Sequence, residues 1–100
     1  MTQVSWGPVN IKSGNSAYFT AEFYDSNGNL TIPSGATATV TYTNTSNAQQ
    51  TDTITLSPIN SYYNGTWSST SAALGLASWS IFSTGNSTAA QQGIIRVIEP

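Results

Sequence analysis

Hydrophobic and polar residues alternate strictly through the segment Ala36–Thr43, which reads ATATVTYT. Alanine, valine and tyrosine occupy the even positions, and threonine occupies every odd position. Since side chains alternate across a β-strand, this pattern puts the apolar set on one face and the threonines on the other. β-Branched threonine suits a half-exposed pleated surface. The segment therefore predicts a strand of an antiparallel sheet with one buried and one solvated face.

Six further short segments alternate in a similar way and are bounded by turn-forming residues. They cover residues 4–11, 16–25, 51–57, 61–69, 77–83 and 93–99. Gly7-Pro8 interrupts the first of them, which predicts a kinked edge strand because proline cannot donate to a ladder. Asn64-Gly65 is also typical of a tight hairpin turn. A continuous strand is favoured there because it brings Tyr63 and Trp67 to the core together.

The predicted inward positions are large aromatic and aliphatic side chains drawn from most of these strands. They are Phe19, Phe23, Val40, Tyr42, Ile54, Leu56, Trp67, Trp79 and Ile81. Seven short strands without an amphipathic helix predict an all-β fold, and 100 residues is the length of one domain, here 1–100. This pattern favours a seven-stranded antiparallel immunoglobulin-like β-sandwich. A small barrel is the alternative.

Composition argues against several functional classes. Only 6% of the residues are charged, with four acidic and two basic side chains, and the chain has neither cysteine nor histidine. Disulfides, thiolate metal sites and the commonest general base are therefore excluded. Two cations cannot neutralise a run of phosphates, so we expect no nucleic-acid binding. No apolar run approaches the ~18 residues of a membrane helix, and the first residues do not predict a signal peptide.

Polar motifs give no catalytic or metal site. The stretch Asp25–Asn29 resembles the start of a calcium loop, but Ala36 occupies the position where such a loop needs glutamate. Four Asn-x-Ser/Thr matches are expected by chance in so polar a chain. Glu22, Asp25 and Asp52 do not occupy positions that flank one cleft, as glycoside hydrolysis requires. We therefore expect a non-enzymatic protein without a cofactor or a metal.

Four stretches carry a resemblance to a known class of module. They are AYFTAEFYDSNGNLTIPSGATATVTYTN, TDTITL, NGTWSSTSAALGLASWSIFSTG and QQGIIRV. Together they span about residues 16–98, and they resemble small immunoglobulin-like modules of bacteria and tailed bacteriophages. The resemblance implies an accessory virion protein that decorates a capsid or sits at the neck or tail, assembled in the host cytoplasm. The partners it implies are capsid, neck or tail subunits.

Residues expected on the outside are candidates for contacts with such partners. Aromatic side chains predicted outward or near edges are Trp6, Tyr18, Tyr24 and Tyr62, and aliphatic ones are Ile94 and Ile98. Arg96 alternates with Ile95, which marks the Ile95 face as the inner one and leaves Ile94 and Ile98 in need of a cover. Exposed aromatic side chains favour protein contacts, including a homo-oligomer, over the alternative of glycan stacking.

Overall fold

The computed structural model describes residues 10–24, 27–60, 62–84 and 91–100, and within these ranges the chain forms nine strands and no helix. In chain order they are β1 Asn10–Lys12, β2 Ser16–Ala21, β3 Phe23–Tyr24, β4 Leu30–Thr31, β5 Ala36–Thr43, β6 Gln49–Ile59, β7 Tyr62–Ser68, β8 Gly75–Ser83 and β9 Gln91–Ile98. The predicted all-β class is confirmed. Six of the seven predicted strands correspond to β2 and β5 to β9. Of the predicted strand 4–11 only the end is described, in β1, and the kink predicted at Gly7-Pro8 lies outside the described residues.

Strand β5 lies at the centre of the main sheet, paired with β6 on one side and with β8 on the other. Its apolar side chains are buried and its threonines are half-buried or exposed, as the alternation predicted. The β5–β6 register sets three threonines of each strand beside one another, for example Thr41 beside Thr51, whose hydroxyl oxygens lie 3.0 Å apart. The outer surface at this point is therefore an uncharged array of hydroxyl and methyl groups.

Seven strands form one sheet in the order β1-β9-β8-β5-β6-β7-β2, and β3 pairs with β4 in a separate two-stranded sheet. Strand β6 pairs with β5 over Gln49–Leu56 and with β7 only over Ser57–Ile59. The continuous strand predicted at 61–69 is confirmed by β7. The single strand predicted at 16–25 is wrong in part, because it breaks at Glu22 and its second half pairs with β4 instead of β7.

The prediction of a purely antiparallel sheet is wrong, because β1 pairs with β9 in parallel. Five antiparallel pairings lead from β2 to β9, so these two strands run in opposite directions. The turn Ser13–Asn15 reverses the chain between β1 and β2, so β1 must run in the direction of β9. The immunoglobulin-like arrangement stays a prediction.

One cluster of buried side chains fills the space that the sheet encloses. Phe19 of β2 meets Trp79 of β8 with ring centroids 5.6 Å apart, and Tyr42 of β5 meets Trp67 of β7 at 5.3 Å. Neither pair of strands is adjacent in the sheet, so both contacts cross the core. Of the nine predicted inward residues, eight are buried, and Ile54 is half-buried against the cluster. Each large side chain, when fully buried, contributes about 1.5–3 kcal/mol.

Ser69, just after β7, contacts the turn that joins β1 and β2, the two end strands of the sheet. Its hydroxyl accepts a hydrogen bond from the Gly14 amide (3.0 Å) and donates to the Asn15 carbonyl (2.7 Å), and its own amide donates to the same carbonyl (3.0 Å). Gly14 has φ +90°, a conformation that favours glycine. The β1–β2 turn is therefore fixed to the end of β7 by a buried polar contact.

Candidate interaction surface

The outer face of β9 carries apolar side chains that its neighbouring strands do not cover. Ile94 and Ile98 are 51% and 38% exposed, whereas Ile95 and Val97 on the other face of the strand are buried. The predicted orientation of β9 is therefore confirmed. The alternation puts Arg96 between the two exposed isoleucines.

Strand registers bring side chains of β8 and β1 to both sides of this row. Leu76 lies beside Arg96 on β8, Asn10 lies beside it on β1, and Lys12 lies beside Ile98. Leu76 is 63% exposed. We call this surface the β9 face, and its members are Asn10, Lys12, Leu76, Ile94, Arg96 and Ile98.

An open groove of about 540 Å³ runs across the β9 face and is lined by all of its members except Lys12. Two further shallow grooves both reach Ile94. One extends over β8 to the threonines of β5, and the other passes Ser80 and Gln92. The apolar surface on β9 therefore continues into the hydroxyl-rich surface of β8 and β5. None of the residues that line these grooves is acidic.

The other predicted contact residues do not join this surface. Tyr18 is 70% exposed on β2, and the groove that it lines contains no member of the β9 face. Tyr24 is half-buried on β3 beside Leu30, and Tyr62 is half-buried on β7 beside Ile59. Trp6 lies outside the described residues, as does Asp25 of the calcium-like loop. Of the five candidates that the structure describes, it therefore brings together Ile94 and Ile98.

Tyr18 lines a groove of its own, about 330 Å³ in volume, where β6 and β7 diverge. The two strands pair only as far as Ser57 and Asn64, and beyond that point the gap between them opens. Gly65 lies in this gap, where an added Cβ would come within 2.6 Å of Leu56 Cδ2. The groove combines one exposed aromatic ring with hydroxyl and amide side chains.

Sequence reasoning missed three members of the β9 face. Leu76 lies just before the predicted strand 77–83, although extending the alternation of that strand by one residue places it outward with Ser78. Nothing in the sequence near Lys12 or Asn10 indicates that these residues lie beside β9. Their proximity to Ile98 and Arg96 follows from the parallel β1–β9 register, which the alternation of neither strand contains.

The described ranges contain few groups that could hold a metal ion. No three Asp, Glu, His or Cys side chains within them come close enough to hold a metal ion. Every buried side-chain nitrogen or oxygen in the same ranges has a hydrogen-bond partner. The described chain also contains no helix with the length and hydropathy to cross a membrane.

Comparison with protein-family models, with curated proteins and with solved structures finds no match to this chain.

Proposed function

We propose that this chain is a non-enzymatic interaction module that serves as an accessory virion protein of a phage or prophage and docks on capsid, neck or tail subunits. The observation that carries the docking role is the β9 face, where Leu76, Ile94 and Ile98 are exposed around Arg96 and line one groove. Contiguous exposed apolar surface of this kind marks interaction sites more often than it occurs by chance.

The immunoglobulin-like arrangement belongs to the same proposal. It is supported by the core contacts between non-adjacent strands and by the division of β6 between β5 and β7. The resemblance of residues 16–98 to phage and bacterial modules supports the virion assignment. The low charge of the surface favours close packing against neighbours, because such surfaces repel one another weakly.

The size of the β9 face suits docking at many equivalent positions. Complete burial of a large aliphatic side chain contributes about 1.5–3 kcal/mol, and the three exposed ones are already partly covered. The cost of association offsets much of such a gain. A contact of this strength becomes effective when many copies bind to a repeating lattice or when a second contact is added.

The test compares two isoleucines of similar exposure, Ile94 on the β9 face and Ile32, which is 58% exposed between β4 and β5. Particles are purified from the source strain carrying wild type, Ile94→Ser or Ile32→Ser, and the chain is quantified by mass spectrometry. We expect the chain in the particles, with a severalfold lower copy number for Ile94→Ser only. Absence of the chain from all particles would overturn the virion role, and equal incorporation of both variants would overturn docking through this face.

A second candidate function, glycan binding, is favoured by the groove beside Tyr18. Sugars stack on exposed aromatic rings, and this ring stands next to Asn64, Thr66 and Ser57, which can hydrogen-bond to hydroxyl groups. A glycan array with the wild type and Tyr18→Ala tests it, with half-buried Tyr62→Ala as the matched control. Binding that only Tyr18→Ala abolishes supports this function, and no binding across the array rejects it.

A further inference from the structure

The two basic side chains of this protein lie together on the β9 face. The sequence contains only Lys12 and Arg96, against four acidic residues and a formal net charge of −2. Arg96 is on β9, and Lys12 is on β1 beside Ile98, the next outward residue of β9. Both basic residues of the sequence therefore lie on the same exposed face as Leu76, Ile94 and Ile98.

The strand neighbours of these cations are uncharged. Leu76 and Asn10 flank Arg96, and Ile98 lies beside Lys12. Among the acidic residues that the structure describes, Glu22 lies between β2 and β3, and Asp52 accepts a hydrogen bond from Trp67. Glu99 follows the last residue of β9. Arg96 and Lys12 thus offer eight N–H donors, five and three, toward whatever covers the face.

We propose that the β9 face binds a protein segment in which carboxylate side chains accompany large apolar ones. This inference rests on the proposed docking function and names the chemistry of the partner. The aliphatic side chains of such a segment would cover Leu76, Ile94 and Ile98. Its carboxylates would pair with Arg96, which can bind a carboxylate through two parallel hydrogen bonds, and with Lys12.

A second copy of this chain fits the surface less well than an acidic partner. A two-fold contact centred on the β9 face would set Arg96 and Lys12 of one copy against the same residues of the other. Like charges that face one another across an interface suppress association. Charge complementarity therefore favours a different chain, with negative charge where this one is positive.

Three nine-residue peptides with blocked ends serve as probes. They share two leucines and differ at two positions, which are Asp, Asn or Lys. Binding is followed by two-dimensional NMR of the labelled full chain at low salt and at 0.5 M NaCl. The higher salt concentration shortens the Debye screening length to about 4 Å. We expect shifts centred on β8, β9 and β1, with the Asp peptide bound roughly three- to tenfold more tightly than the Asn peptide at low salt.

A charge-swapped variant, Lys12→Glu with Arg96→Glu, makes the test specific. It should prefer the Lys peptide and lose the preference for the Asp peptide. Both positions are exposed, so the unfolding midpoint of the double variant should change little. If the double variant does not fold, Arg96→Gln takes its place, and it should bind the Asp and Asn peptides with more similar affinities than the wild type does. Equal binding of the three peptides by the wild type, or shifts located elsewhere, would overturn the inference.

Failure of this inference is distinguishable from failure of the proposed function. If the chain is present in particles and Ile94→Ser lowers its copy number, but the peptides bind without charge preference, docking stands and the acidic partner is rejected. If light scattering shows a dimer that Arg96→Glu strengthens, the face contacts a second copy, and the inference is also rejected.

Discussion

The indole N–H of Trp67 donates a hydrogen bond of 2.9 Å to the carboxylate of Asp52. The two residues belong to β7 and β6, whose backbones are paired only at the hairpin end, over Ser57–Ile59. Their side chains therefore connect the two strands where the ladder does not. Gln50 donates to the other carboxylate oxygen at 3.3 Å, and the Tyr42 hydroxyl also hydrogen-bonds to Asp52.

Removal of this carboxylate should destabilise the fold. Asp52→Ala leaves the indole N–H of buried Trp67 without its partner, and we expect the free energy of unfolding to fall by about 1–3 kcal/mol. Asp52→Asn keeps an acceptor oxygen and should lose less. Urea denaturation measures both. In a Trp67→Phe background, Asp52→Ala should cost clearly less, since the donor is already gone, and an undiminished cost would show that the bond contributes nothing.

The Ser69 hydroxyl fixes the β1–β2 turn to the end of β7. Ser69→Ala removes the acceptor for the Gly14 amide and the donor to the Asn15 carbonyl, so we expect a loss of about 1–3 kcal/mol in unfolding free energy and faster hydrogen exchange at Gly14. Ser68→Ala is the matched control, because Ser68 is exposed and should change stability by less than about 0.5 kcal/mol. Equal effects of the two variants would contradict this role.

Gly93 provides the space in which the Trp79 ring lies. A Cβ on Gly93 would stand 2.7 Å from Cζ2 and 2.8 Å from Cε2 of that ring, which is buried and packed against Phe19. Gly93→Ala should therefore lower the unfolding free energy by about 1–3 kcal/mol, measured by urea denaturation. Gln92→Ala, next to it on the exposed face, should be close to neutral. In a Trp79→Phe background the smaller ring should relieve most of the cost of Gly93→Ala.

Alternation along the chain predicted which side chains share the buried face of each strand, because that grouping depends on the spacing of residues within the strand. It placed β5 and β9 in the correct orientation and found the continuous strand through Asn64-Gly65. It did not predict the parallel pairing of β1, because alternation identifies the face of a strand and says nothing about its neighbour. The direction of β1 follows from the turn that joins it to β2 and from the five antiparallel pairings between β2 and β9, a property of the whole topology.

The same distinction applies to the β9 face. Ile94 and Ile98 could be identified because they alternate with buried Ile95 and Val97. The cluster with Lys12 and Leu76 could not, since it depends on residues far apart in sequence that register brings side by side. The sequence showed that Arg96 lies on the outer face of β9. That Lys12 lies on the same surface could be seen only in the structure.

Stability at alkaline pH should report on the Tyr42–Asp52 contact. Burial, and then the hydrogen bond and negative charge of Asp52, raise the pKa of Tyr42 above its ordinary value of 10.0. The unfolded chain therefore loses this proton at a lower pH than the folded chain does. The stabilisation by neutral Tyr42 is complete below pH 10 and is lost as the pH rises from there through the folded pKa. At pH 8, Tyr42→Phe should be less stable than the wild type by about 1–3 kcal/mol, the cost of a lost hydrogen bond to a charged group. Between about pH 9 and pH 11.5, the variant should then lose less of its remaining stability than the wild type does. Urea denaturation of both proteins across this range measures the difference, and the remaining tyrosines cancel because both chains contain them. Parallel stability profiles would show that ionisation of Tyr42 does not contribute.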